Sequence, residues 1–262
     1  MNIKITVNPY NNEKAKMLGY ATVNFEDKYV LENIKIKDGQ HGRYVELPKY
    51  SVPKKDDNGK VLVDIYGKTE FERKDIFHPI TADMNKEFTE AILTEYKNVV
   101  DNGRSNVYSG DKRSTDYTLS GNFDISRTTA GVHEKKNEKD NLLGMATMSF
   151  GNLFMLDRIK VKESTSEQNA GKEIIELPKY RTTAKDENGK VLADEYEYKD
   201  AFHAITTEGY NEMYNAVIDS YHNALAAKQG KGQEQPAADI SQDGIPFEDV
   251  LEDDYEQSSG RR

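Results

Sequence analysis

Cysteine is absent from all 262 residues, which excludes disulfide staples, thiolate catalysis and cysteine-ligated zinc together. Long apolar runs are also missing, so no segment reads as a bilayer-spanning helix. The opening residues Met1 to Tyr10 lack the basic-then-apolar pattern of an export signal, and the expected location is the cytoplasm, with no membrane partner. Positive charge is in deficit: 36 Lys and Arg stand against 46 Asp and Glu, a formal net charge of -10. A field of that sign repels phosphate at long range and argues against a protein that coats duplex DNA, so any nucleic-acid site has to be local. A P-loop, a dinucleotide-binding glycine pattern and a nucleophile-base pair are missing as well, and neither enzymatic activity nor a cofactor is expected. With 36% hydrophobic and 31% charged residues, the chain should form two small cores and leave some segments unpacked.

What is present, above all, is a repeat. LGYATVNF from Leu18 to Phe25 is answered by LGMATMSF from Leu143 to Phe150, NIKIK from Asn33 by RIKVK from Arg158, and ELPKY from Glu46 by the same five residues from Glu176. DNGKVL from Asp57 is then answered by ENGKVL from Glu187, and DIFHPIT from Asp75 by DAFHAIT from Asp200. Such blocks in one preserved order mark a duplicated structural unit. The predicted organisation is a first domain over 1–100, a linker over 101–118 rich in Ser, Asn, Gly and Asp, a second domain over 119–227, and a disordered acidic tail over 228–262.

Each unit reads as strands followed by one helix. Ala21 to Phe25, Tyr29 to Lys37 and Arg43 to Leu47 carry β-branched and aromatic residues with local alternation, and Asp38-Gly39 and Pro48 interrupt them. Asn58-Gly59 and Asn188-Gly189 suit tight hairpins because both residue types tolerate positive φ. Ile3 to Val7 opens the first unit as a strand, and a strand near Asn122 to Ser126 is expected to open the second. Thr81 and Thr206 or Thr207 can cap helices whose apolar stripes are Met84, Phe88, Ala91, Ile92, Tyr96 and Val99, and Met213, Val217, Tyr221 and Leu225.

Strands ending in Asp-Ile-Phe-His-Pro-Ile, before a helix ending Glu-Ala-Ile-Leu-Thr-Glu-Tyr, resemble the SpoVG family of bacterial septation and sporulation regulators. The resemblance runs from about Leu18 to Tyr96 and, more loosely, from Leu143 to Tyr221, where Ala204 replaces the proline. It implies an α+β fold of two SpoVG-like units in tandem, each a small antiparallel sheet with a C-terminal helix. It also implies dimerisation, here within one chain as a pseudo-dimer, with higher oligomers allowed. A DNA- and RNA-binding regulatory role without catalysis comes with it.

For that role, Ile34-Lys35-Ile36-Lys37 places both lysines on one face of a strand, and Arg158-Ile159-Lys160-Val161-Lys162 repeats the pattern. Lys49 and Tyr50, and Lys179, Tyr180 and Arg181, follow the repeated Leu-Pro. Cations beside aromatic rings suit phosphates and unstacked bases, so single-stranded DNA or RNA is expected over duplex. An accessory replication or regulatory role in a phage or mobile element would accommodate this. Taken singly, these lysines also read as an ordinary solvated sheet face. His78 and His203, each three residues after an aspartate, read as junction residues rather than metal ligands, since no second spaced ligand accompanies them.

The tail holds eight acidic residues between Asp239 and Glu256 and no Lys or Arg. Within it Ile245, Pro246 and Phe247 resemble the acidic tip of bacterial single-stranded DNA-binding proteins that recruits partners, although here the motif is internal. Flexible carboxylates can also compete with phosphate for the chain's own basic face, so deleting residues after Lys228 should tighten nucleic-acid binding. The alternative function is an acidic protein-interaction module that engages a DNA-handling enzyme or mimics its DNA.

Overall fold

The computed structural model describes residues 1–101, 114–134, 140–185 and 191–230. The Asn188-Gly189 turn and the tail motif Ile245, Pro246 and Phe247 lie outside the described residues. The first half runs β1 (Asn2–Asn12), a 3-10 turn, β2 (Met17–Phe25), β3 (Tyr29–Gly39), β4 (Gly42–Glu46), β5 (Lys49–Pro53), β6 (Phe71–Asp75), β7 (Phe77–Pro79) and α1 (Ala82–Asp101). After β8 (Thr115–Thr118) the second half runs β9 (Ile125–Val132), β10 (Leu142–Phe150), β11 (Phe154–Glu163), β12 (Glu173–Glu176), β13 (Lys179–Lys185), β14 (Val191–Asp200), β15 (Phe202–Ala204) and α2 (Thr207–Gly230). The architecture is mixed α+β, and the element order of the first half recurs in the second.

One sheet has the order β15-β3-β2-β1-β8 with β4 also on β3, and the other has the order β12-β11-β10-β9 with β7 on β11. Two ribbons, β5 with β6 and β13 with β14, stand apart from these sheets. The helices begin where the sequence puts them. The Thr81 hydroxyl accepts from the Met84 amide at 3.2 Å and the Thr206 hydroxyl from the Gly209 amide at 3.0 Å, each satisfying an otherwise orphaned donor. Met84, Phe88, Ala91, Ile92, Tyr96 and Val99 are buried along α1, as are Met213, Val217, Ile218 and Tyr221 along α2.

The short strands β7 and β15 are exchanged between the halves. Phe77 to Pro79 pairs with Phe154 to Leu156, and Phe202 to Ala204 pairs with Tyr29 to Leu31. Flanking bonds repeat the exchange: Glu32 N–H donates to the Ala201 carbonyl at 2.8 Å and Asp157 N–H to the Ile76 carbonyl at 2.9 Å. Docking occurs at a bulge in β3 and β11, where Asn33 (φ 59) and Arg158 (φ 63) adopt left-handed backbone. The extra residue reverses which parity faces inward: Tyr29 and Leu31 are buried before it, Ile34 and Ile36 after it.

Three expectations are corrected. In place of two cores there is one buried cluster drawing on both halves. At its centre Phe77 and Phe202 stack at 4.9 Å, while Phe123 lies between Phe25 (4.3 Å) and Phe150 (4.6 Å) with its ring nearly parallel to both. Aromatic rings bury large apolar area and favour such offset stacks, so exchanging strands lets thinly cored halves share one interior. The end of the supposed 101–118 linker is strand β8, pairing with β1 from Asn2↔Thr118 to Ile5↔Thr115. The strand expected near Asn122 to Ser126 starts at Ile125, and Phe123 before it is buried in the core.

Candidate nucleic-acid interface

The alternation in β3 and β11 puts Ile34, Ile36, Ile159 and Val161 in the core, and Lys35, Lys37, Lys160 and Lys162 outside it. Pairing then sets a glutamate against each lysine pair. Lys35 lies opposite Glu46 and Lys160 opposite Glu176. Glu46 receives Lys35 at 3.7 Å and Lys37 at 3.1 Å, and Glu176 receives Lys160 at 3.1 Å and Lys162 at 3.5 Å. The lysine side chains keep between 18% and 36% exposure, so they still reach solvent. Burial alone would raise the Glu46 carboxyl. The hydrogen bond from Lys37 and the charges of Lys37, Lys35 and Lys49 outweigh it and hold Glu46 below the ordinary carboxylate range. Glu176 is held down against burial in the same way by Lys160, Lys162 and Lys179.

Lys49 also approaches Asp75 at 3.6 Å, and Lys179 lies opposite Asp200. The first half therefore gathers Lys35, Lys37 and Lys49 around Glu46 and Asp75, and the second gathers Lys160, Lys162 and Lys179 around Glu176 and Asp200, with Glu32 also close to Asp200. Sequence reasoning found the lysines but missed Glu46 and Glu176; the signal available was that both stand at the head of the repeated Glu-Leu-Pro-Lys-Tyr block.

The other residues expected at a binding face are divided between two places. Tyr50, Tyr180 and Arg158 sit where the halves meet. Tyr180 donates to the Glu32 carboxylate at 2.8 Å, and the Arg158 guanidinium lies 4.8 Å over the Tyr50 ring. Burial and the Glu32 contact push the Tyr180 hydroxyl well above its ordinary range. Burial likewise raises Tyr50, with Asp157 adding to the effect and Arg158 opposing it. Arg181 stands on the β13–β14 ribbon, with its guanidinium 4.1 Å over the Tyr196 ring. The lysine sets lie at the roots of the ribbons, since β5 begins at Lys49 and β13 at Lys179.

His78 and His203 lie in the exchanged strands, as junction residues. His78 Nδ1 is 3.9 Å from Asp157 Oδ2, which fits an orienting contact. Among the described residues no cluster of three or more His, Asp or Glu could hold a metal ion, and no helix is long and apolar enough to cross a membrane.

A family model described as SpoVG matches residues 1–98. The "Putative septation protein SpoVG" of Thermoanaerobacter sp. (strain X514) is 33% identical over 86 residues, which cover 33% of this chain and 76% of the relative. The chain belongs to the SpoVG family. The SpoVG relatives of Treponema denticola, 34% identical over 91 residues (35% of this chain, 76% of the relative), and Acholeplasma laidlawii, 31% over 87 residues (33% and 76%), agree with this. No solved structure matches the chain. The SpoVG match takes in β1 through most of α1, and with them Lys35, Lys37, Lys49 and Tyr50 of the first lysine set.

Proposed function

We propose that this protein is a non-enzymatic nucleic-acid-binding regulator, selective for single-stranded DNA or RNA, whose two SpoVG-like halves act together as a pseudo-dimer within one chain. The observation that carries the reading is the lysine set built twice: Lys35, Lys37 and Lys49 around Glu46, and Lys160, Lys162 and Lys179 around Glu176. Each concentrates three cations at one place on a molecule whose formal net charge is -10, which is the form a site must take when the general field repels phosphate. Glu46 and Glu176 hold the ammonium groups in place and compete with phosphate for them. The strand exchange supports the pseudo-dimer, because each half completes a sheet of the other.

Fluorescence anisotropy with labelled single-stranded DNA, RNA and duplex DNA across a salt series tests this directly. Replacing Lys35, Lys37, Lys160 and Lys162 by glutamine removes four cations without crowding carboxylates together. The expected result is loss of affinity and a salt slope shallower by roughly three, from about 0.7 per phosphate contact on a single strand. Retained affinity with an unchanged slope would move the site elsewhere. Conversely, Glu46→Gln with Glu176→Gln should tighten binding and steepen the slope. The acidic tail is proposed as a competitor for the same lysines, and deleting residues after Lys228 should also tighten binding at constant salt.

A further inference from the structure

The two ribbons sort their side chains by face in a matching way. In β5–β6 the register sets Tyr50 against Lys74 and Val52 against Glu72 on one face, and Lys49 against Asp75, Ser51 against Arg73 and Pro53 against Phe71 on the other. In β13–β14 it sets Tyr180 against Lys199 and Thr182 against Glu197 on one face, and Lys179 against Asp200, Arg181 against Tyr198 and Thr183 against Tyr196 on the other. The first face of each ribbon neutralises its own charge: Lys74 pairs with Glu72 at 3.0 Å and Lys199 with Glu197 at 2.8 Å. Its tyrosine is spent at the junction of the halves. The second face begins at the lysine set and carries an arginine and aromatic rings outward, with an aspartate only at its root. Phe71 is 49% exposed, Tyr196 50% and Tyr198 44%. Arg73 and Arg181 are exposed as well.

From this arrangement we infer that the outer faces of the two ribbons are stacking platforms for unpaired bases, with Phe71 and Arg73 on one and Arg181, Tyr196 and Tyr198 on the other. This rests on the nucleic-acid-binding reading and deepens it. The lysine sets at the ribbon roots receive phosphates, and a strand leaving them meets Arg73 or Tyr198 two residues further along and the ring of Phe71 or Tyr196 four residues along, roughly 7 and 13 Å away at the rise of a β-strand. The chemistry selects single strands, because bases paired in a duplex keep their π-faces against one another, whereas an exposed ring or guanidinium plane offers an unpaired base a new neighbour. The Arg181 guanidinium packs 4.1 Å over one face of the Tyr196 ring, so cation and ring form one joined surface. The counterpart positions differ in residue type: Arg73 stands where the second ribbon has Tyr198, and Ser51 where it has Arg181. Each outer face thus carries one arginine and at least one exposed ring, although the residues differ.

The test uses the full chain and labelled oligothymidine, oligouridine and a duplex of equal length. Removing the rings as Phe71→Ala, Tyr196→Ala and Tyr198→Ala leaves every charge in place. Affinity for the single strands should fall roughly five-fold or more for each ring that stacks on a base, with the salt slope unchanged and duplex affinity little altered. Tyr196→Phe with Tyr198→Phe keeps the stacking surfaces and should bind as the unaltered chain does. Unchanged thermal unfolding of the alanine variant would exclude a folding defect. Should the alanine variant bind single strands normally while the lysine-to-glutamine variant loses them, the ribbons are not the platform and the nucleic-acid reading stands. If the unaltered chain binds none of the three probes, both readings fail together.

Discussion

Phe123 has no counterpart in the repeat, yet its ring fills the space between the equivalent residues Phe25 and Phe150. Removing a buried phenyl from a stack contributed by both halves should cost about 3–5 kcal/mol, because the surrounding rings belong to different sheets and cannot close the gap cheaply. Urea unfolding of Phe123→Ala measures this, and a loss under 1 kcal/mol would contradict the packing described. Glu46 and Glu176 belong to the same scale. A carboxyl whose folded pKa is depressed contributes stability above its unfolded value, near 4.3, and loses that contribution as pH falls through the folded value. The Glu46→Gln and Glu176→Gln double variant should therefore show a smaller drop in Tm than the unaltered chain between about pH 5 and pH 3; parallel curves would count against the lysine clamps. Asp157 and Asp200 contribute with opposite sign, since burial raises both against the pull of neighbouring cations. Isolated residues of this kind were only partly readable beforehand: alternation assigned the lysines to one face, whereas their acidic partners depend on the 35↔46 and 160↔176 registers.

Among the elements, β8 is tied to α1 through a buried acidic side chain as well as to β1 by pairing. Glu95 is buried on α1 and accepts from the Thr115 hydroxyl at 2.8 Å and the Tyr117 hydroxyl at 3.0 Å, and both of these donors lie on β8. Burial, with Glu95 as neighbour, pushes the Tyr117 hydroxyl up to about 12. Replacing Glu95 by alanine leaves those hydroxyls without that acceptor and should speed amide exchange across Thr115 to Thr118; unchanged protection would mean β8 is held by its pairing with β1 alone. Ser220 takes the place of Glu95 in α2 and donates to the Thr128 carbonyl of β9 at 3.1 Å, so the second half uses the position to hold its own strand. The repeated Leu-Gly opening β2 and β10 has a backbone cause. A Cβ at Gly19 would lie 2.9 Å from the Asn8 carbonyl, and at Gly144 one would clash with the Gly131 carbonyl, so the neighbouring strand can pass only a glycine there. The caps at Thr81 and Thr206 and the Asn58-Gly59 turn were readable because their chemistry is local. The turn from Asp64 to Lys68 was not singled out, although the Asp64 carboxylate accepts from the Tyr66 and Lys68 amides as Asp56 does from Asn58 and Lys60.

For the molecule as a whole, exchange of β7 and β15 means that neither half keeps a complete sheet edge or a complete core alone. A chain cut at a protease site introduced within residues 102–113 should therefore elute as one particle and unfold in a single transition, because one aromatic interior spans both pieces. Separation without denaturant would show that the exchanged strands contribute little. The same connection sets effective concentration: the halves are held against each other at a level independent of protein concentration, so dilution should not weaken their pairing.

The amino-acid order alone determined the recurring blocks, the α+β class, the helix starts and the core-facing stripes, because each is written in spacings of a few residues or in segments that recur. Only the folded chain decided that Tyr50 and Tyr180 serve the junction, that Phe71, Tyr196 and Tyr198 remain on the surface, and that one interior replaces two. Those outcomes depend on which half supplies a strand's neighbour. That choice is made by contacts between residues about 75 to 175 positions apart, on which local periodicity is silent.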